Sequence, residues 1–246
     1  MKLMKLSLPL FVPALLLSIS IGGARPSSGA RSRTSHATNT QGGAQAEGKL
    51  IYADFETVKD RRPVSNRGGL VQLFAYQESP SLQAKFKGME GAAPPAPDLV
   101  RLRQDDPNRA ISFDYTLPAP NGYAGVTVEI HGQADRDGKT VADDVSGYKY
   151  LTFQAYATGV QDLRVELVSK GQGVTTNGYP QMVFKVSQGF NIYKIPLKSL
   201  AQPSWAQRIS EKDVLKKLTS VNISAYCDKC KPVNGTVVLD NLVFQN

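Results

Sequence analysis

Ten short runs of this chain alternate, or nearly alternate, apolar and polar residues, and no regular helical pattern interleaves them. They are LIYADFE (50–56), GLVQLFAY (69–76), AISFDYTL (110–117), AGVTVEIHG (124–132), KYLTFQAYA (149–157), DLRVELVS (162–169), PQMVFKVS (180–187), FNIYKIPL (190–197), TSVNISAY (219–226) and GTVVLDNLVF (235–244). A period of two sends successive side chains to opposite faces of a strand. Turn residues punctuate the runs, in DRDGK, SGY, ATGVQD, SQGF and PVNG. The pattern predicts an all-β fold, an antiparallel two-sheet β-sandwich with one short helix. The helix lies in AQPSWAQRISEKDVLKKL, where Ser210 caps, Asp213 takes the third helical position, and Val214, Leu215 and Leu218 face inward. It is expected to cross an end of the sandwich. The Pro- and Ala-rich GMEGAAPPAPD (88–98) reads as a long surface loop.

The amino end reads as an address. Lys2 and Lys5 precede an apolar run from Leu6 to Ile21, and Gly22, Gly23 and Ala24 suit a signal-peptidase site, so 1–24 is read as a secretory signal peptide. Its apolar core is short for a membrane span and carries Pro9 and Pro13, so no stable membrane anchor is expected, a retained anchor being the alternative. Residues 25–48, rich in Ser, Gly, Ala, Thr and Arg, offer little to bury and read as a disordered linker. Residues 49–246 then make one domain with a substantial core, in a secreted or periplasmic protein.

The net charge of +8 weakens as a hint of nucleic-acid binding once it is divided along the chain. The first 48 residues hold five Lys or Arg against one Glu, and the domain holds 24 basic against 20 acidic residues without a dense block. Nucleic acid is not an expected partner. Cys227 and Cys230 form a lone C-x-x-C in YCDKCKP. With no second cysteine pair and only His36 and His131 as histidines, a loop-stapling disulfide is preferred over a zinc or redox site.

The last run poses a problem. Strict alternation groups Asp240 with Val238, Leu242 and Phe244, and Asn241 with Val237, Leu239 and Val243, so neither face is plainly the wet one. A carboxylate among apolar neighbours costs several kcal/mol unless backbone donors, a basic side chain or a bound cation compensate it.

Taken in order, YADFE, GYAGVTVEI, DVSGYKYLTFQAYATG, DLRVELVS, FNIYKIPLKSLAQPSW and GTVVLDNLVF resemble the galactose-binding-like β-jelly-roll fold. Within it they are most similar to family 11 carbohydrate-binding modules and to the related domain of complex I intermediate-associated proteins. The resemblance covers 50–246. It implies a structural calcium ion between the first and last strands, held by Glu56 and Asp240. Backbone carbonyls or neighbours such as Asp54 or Asn241 would complete the about six to eight oxygens that calcium takes. It also implies a concave face that binds β-glucan-like polysaccharide or oligosaccharide through tyrosines with polar helpers.

Sugar recognition needs flat aromatic surface and planar polar groups. Setting aside residues that read as core leaves Tyr150, Thr152, Gln154 and Tyr156 on one strand, and Thr127, Glu129 and His131 on another. Two further strands leave Arg164 and Glu166, and Asn222, Ser224 and Tyr226. If these strands share a sheet, Tyr156, Gln154, His131, Arg164 and Tyr226 form one carbohydrate-binding face, with Tyr179 of TTNGYP as a loop aromatic. Trp205, the only tryptophan, is expected to anchor the short helix, leaving Tyr179 the freer ring.

No G-x-S-x-G, H-E-x-x-H or G-x-x-x-x-G-K-[ST] motif is present. Two carboxylates would suffice for glycoside hydrolysis, but the acidic residues sit mainly in turns. The expectation is a binding module without catalysis. The alternative is an extracytoplasmic protein-interaction or assembly-factor domain of the intermediate-associated type, without sugar specificity.

Overall fold

In the computed structural model, residues 48–79, 81–87, 96–132 and 140–246 are described. The expected signal peptide, nearly all of the expected linker, the DRDGK turn and residues 88–95 of the expected surface loop lie outside the described residues.

Each of the ten alternating runs contains a strand, although the first leaves its strand after Ala53, so Glu56 lies beyond it. In chain order the described strands are β1 (Lys49–Ala53), β2 (Val58–Lys59), β3 (Arg62–Pro63), β4 (Val71–Gln77), β5 (Lys85–Phe86), β6 (Asp98–Arg101), β7 (Arg109–Leu117), β8 (Gly122–Glu129), β9 (Tyr150–Ala157), β10 (Asp162–Val168), β11 (Gln181–Lys185), β12 (Asn191–Pro196), β13 (Ser220–Cys227) and β14 (Val233–Gln245). One sheet runs β12-β9-β14-β7-β5, with β1 also on β14 and β6 also on β7. The second runs β11-β10-β13-β8-β4, and β2 pairs with β3 as a small separate ribbon. Every strand pairing is antiparallel. Asp98 opens β6 against β7, so the expected surface loop ends sooner than its composition indicates.

The apolar half of each alternating run fills the space between the sheets. Leu73, Val126, Val128, Leu163, Val165, Val221 and Ile223 of one sheet and Ile111, Phe113, Leu151, Phe153, Val237 and Leu239 of the other are buried in a single core. Burying such a side chain is worth about 1.5–3 kcal/mol, and a one-residue slip would turn a whole strand's apolar set to solvent. That penalty pins the outward faces as firmly as the inward ones.

The short helix α1 (Glu211–Lys216) forms as its cap predicts: Ser210 Oγ accepts from the Asp213 N–H at 3.3 Å. Val214 and Leu218 are buried and Leu215 is half-buried, its carbonyl accepting from the Val145 N–H at 2.8 Å. Cys227 and Cys230 are disulfide-bonded at the end of β13.

The alternation expected for the last run does not hold, and the departure resolves the problem it posed. Asn241 has φ of 54°, a left-handed conformation that asparagine visits more readily than most residues. The pairing of β14 with β9 shifts between Asp240 and Val243, as a bulge requires. Val237, Leu239, Leu242 and Phe244 therefore all join the core. Asp240 sits where the neighbour of β14 changes from β7 to β1.

Candidate functional site

The outward face of the β11-β10-β13-β8-β4 sheet collects the residues that the core leaves over. At one level Asp162 of β10 stands beside Tyr226 of β13, Tyr226 beside Tyr123 of β8, and Tyr123 beside Tyr76 of β4. Adjacent strands are ~4.8 Å apart, so neighbours in such a row touch. Tyr76 and Tyr123 stack with ring centroids 5.2 Å apart, and Phe74 meets Tyr123 edge-on at 5.8 Å. The Arg164 guanidinium lies 3.9 Å from the centre of the Tyr123 ring and 5.3 Å from that of Tyr226. Each such cation–ring contact contributes about 0.5–1 kcal/mol at an exposed site and holds the arginine in place. Tyr76 closes the stack with 50% of its surface exposed.

The next level is low at its centre. Arg164, Ser224, Gly125 and Phe74 stand side by side there. A Cβ on Gly125 would collide with the Ile223 carbonyl oxygen and with Ser224, so glycine is required where two backbones approach. One level further, Gln181, Glu166, Asn222, Thr127 and Gln72 make a polar row across all five strands. Asn222 Nδ2 donates to Glu166 Oε2 at 2.9 Å, while the buried Asn222 Oδ1 has no hydrogen-bond partner among the described residues. Glu129 lies beyond, its carboxyl pushed above the usual carboxylate range by burial, against a backbone hydrogen bond from Leu70 and the charge of Lys170.

Of the residues expected on one face, Arg164 and Tyr226 meet here. Tyr179, just before β11, lies close enough to Glu166 for that charge, added to burial, to raise its phenol, and its hydroxyl donates to the Val174 carbonyl at 3.3 Å. His131 follows the end of β8, with Nε2 3.1 Å from Asp143 Oδ1, and Asp143 also pairs with Arg67. Tyr156 and Gln154 do not belong to the group. They lie on β9, between β12 and β14 in the other sheet, opposite Val238 and Asp240. Phe153 and Ala155 of β9 point into the core, so Gln154 and Tyr156 face away from Tyr226 across the whole sandwich.

Trp205 also departs from expectation. The residue is 66% exposed, and it is Val214 of the helix and Leu218 just after it that are buried in the core. Tyr179 is the half-buried ring of the two. Tyr76, Phe74 and Tyr123 were not singled out from sequence, although the signal was there. Alternation continued back from Thr127 past Gly125 reaches Tyr123, and continued forward from Gln72 reaches Phe74 and Tyr76.

The Asp240 carboxylate is fully buried. Its Oδ2 accepts from Asn108 Nδ2 and Asn241 Nδ2, both at 2.8 Å, and its Oδ1 accepts from the Asn241 N–H at 2.7 Å. Burial raises its pKa most; the nearby charges of Glu56 and Asp54 add to this and the hydrogen bonds oppose it. Among the described residues no Lys, Arg or His pairs with it. Glu56 accepts the Arg109 N–H and lies 4.0 Å from Arg109 Nε. No three His, Cys, Asp or Glu among the described residues gather closely enough to hold a metal ion. An ion between Glu56 and Asp240 would therefore need amide or backbone carbonyl oxygens as further ligands, and Asn108 and Asn241 are amides already in contact with Asp240.

No protein-family model and no curated protein matches the sequence. Solved structures match the fold. The family 11 carbohydrate-binding module of cellulosomal cellulase Lic26A-Cel5E of Clostridium thermocellum is similar at a TM-score of 0.52 and 14% identity, over 82% of this chain and 96% of that one. A family 11 carbohydrate-binding module from Clostridium thermocellum in complex with a β-1,3-1,4-mixed-linked tetrasaccharide is similar at 0.51 and 14% identity, over 82% and 97%. The two-sheet sandwich is thus a fold that carbohydrate-binding modules use.

Proposed function

We propose that this chain is a carbohydrate-binding module that holds a β-glucan-like chain on the outward face of the β11-β10-β13-β8-β4 sheet and does not transform it. The observation that carries the reading is the aromatic row of Tyr76, Tyr123 and Tyr226, clasping Arg164, beside a row of five polar side chains two levels away. A pyranose ring offers C–H faces that stack on aromatic rings and hydroxyls that pair with amides and carboxylates. Tyr76 supplies the open ring, Arg164 a cation already held in place, and Gly125 with Ser224 a low floor between the rows. The tetrasaccharide in a module of similar fold supports the ligand class.

Export belongs to the same proposal, supported by the composition of 1–24 and 25–48, with 49–246 as the binding domain. So does calcium at Glu56 and Asp240. Its support is a buried carboxylate with two others nearby and no basic partner among the described residues. A bound ion would neutralise that charge and tie together the ends of β1, β7 and β14.

Calorimetric titration of the full chain with mixed-linked β-glucan oligosaccharides tests the binding reading. Wild type is expected to bind, and Tyr76→Ala and Arg164→Ala each to weaken binding by roughly tenfold. Tyr156→Ala, on the other sheet, should leave affinity unchanged. Silence toward β-glucans, mannans and galactans alike would sink the reading and send the search to protein partners.

A further inference from the structure

Trp205 is the sole tryptophan, and among the described residues it is the most exposed large apolar side chain after Ile192. The segment that presents it is firmly built. Gln202, itself buried, donates through Nε2 to the Gly178 carbonyl at 2.8 Å and the Gln207 carbonyl at 3.0 Å, with Thr176 Oγ1 3.2 Å from the same nitrogen, and its Oε1 accepts from the Ile209 N–H at 2.9 Å. Thr176 Oγ1 donates to the Gln207 carbonyl at 2.8 Å, and the Gln207 N–H donates to Asn177 Oδ1 at 2.9 Å. These bonds lock residues 174–179 and 201–209 to each other, and a bridge between Gln181 and Ala201 joins the pair to the edge of β11. The indole rests on Gly178, where even a Cβ would come within 2.9 Å of it. Gly178 precedes Tyr179, the ring beside Glu166.

The position of this unit matters as much as its rigidity. The Leu167 N–H donates to the Pro180 carbonyl, so residues 174–179 continue past the Val168 end of β10. The Tyr76–Tyr123–Tyr226 row lies at the opposite end of the same sheet. Along β13 the two levels are those of Tyr226 and Ser220, about 20 Å apart at ~3.4 Å per residue, and β4 and β11 are four strand spacings of ~4.8 Å apart, so the diagonal from Tyr76 to the far end of the sheet is roughly 28 Å. Between them lie the low Gly125–Ser224 level and the polar row. Exposed aromatic surface thus lies at both ends, Tyr76 on the sheet at one and Trp205 on the clamped loop beyond the other.

We propose that Trp205, seated on Gly178 beside Tyr179, is a second sugar-stacking station, and that the ligand is an extended glucan chain spanning from Tyr76 to Trp205. This rests on the reading of the outward face as a glycan site. A ring already immobilised loses little conformational freedom when a sugar docks on it, which is why the Gln202 clamp favours a binding role.

The test uses the full chain as wild type, Trp205→Ala and Trp205→Phe, titrated with mixed-linked β-glucan oligosaccharides from disaccharide to octasaccharide. Heat and tryptophan emission are followed together, since the only indole reports on its own surroundings. Wild-type affinity should climb with length until both stations are covered, and only the longer ligands should shift the emission. Trp205→Ala should match wild type on short ligands and lose roughly three- to tenfold on the longest, with Trp205→Phe keeping most of the affinity. All three proteins should melt together because the ring is exposed. No loss at any length overturns the inference while leaving the glycan site on the sheet standing. Equal loss at every length with a lowered melting temperature overturns it too, by showing that the ring merely holds the loop. A wild type that binds no oligosaccharide overturns the glycan reading and this inference with it.

Discussion

Asp240 shows what a single buried carboxylate demands. Asn108 and Asn241 supply its three hydrogen bonds, the one 132 residues away in the chain and the other its immediate neighbour. Asn108→Ala removes one donor from a buried charge and should lower stability by about 1–3 kcal/mol, read from urea unfolding; an unchanged midpoint would mean that water or an ion takes the donor's place. Glu129 makes a pH prediction. Burial raises its folded pKa above the unfolded value, so the folded state holds the proton more tightly. Its stabilisation is complete below the unfolded pKa and is lost as pH rises through the folded one. Glu129→Gln should therefore flatten the decline of melting temperature across that window, and a slope identical to wild type would refute the assignment. At this scale residue types were legible in sequence, whereas partners were not: nothing near Asp240 in the chain points to Asn108.

Elements were the most legible level, because their signals are local. Period-two alternation acts between residues two apart, and the Ser210 cap acts three residues ahead on Asp213. Ser210→Ala should cost about 0.5–2 kcal/mol, measured by chemical denaturation, if the cap is worth what such caps usually are. The bulge in β14 escaped because strict alternation was assumed to continue through LDNLVF. Asn241 in the left-handed region lets Leu239 and Leu242, three apart, both reach the core. Asn241→Val should cost about 1–2 kcal/mol from the backbone conformation alone. If that variant melts like wild type, the bulge tolerates a β-branched residue and its account here fails.

For the whole molecule, the question is which strands share a sheet. β9 and β13 carry equally good tyrosines by sequence, yet β13 lies between β10 and β8 while β9 lies between β12 and β14. Tyr226 therefore joins Arg164 and Tyr123, and Tyr156 faces the other way. The proposed ion is also a property of the assembled sandwich, since Glu56 and Asp240 approach only when β1 closes on β14. Thermal melts should rise in calcium and fall in EDTA; coincident curves would remove the ion from the proposal.

The sequence by itself determined the ten main strands, the capped helix, the disulfide pair and, apart from the bulged β14, the faces that supply the core, because turns, caps and alternation act over a few residues and need no partner. The tertiary structure alone decided sheet membership, the neighbours of Asp240, and the gathering of Tyr76, Tyr123, Arg164 and Tyr226. Those outcomes depend on contacts between residues far apart in the chain, where many pairings satisfy the local pattern and only the packing of one common core selects among them.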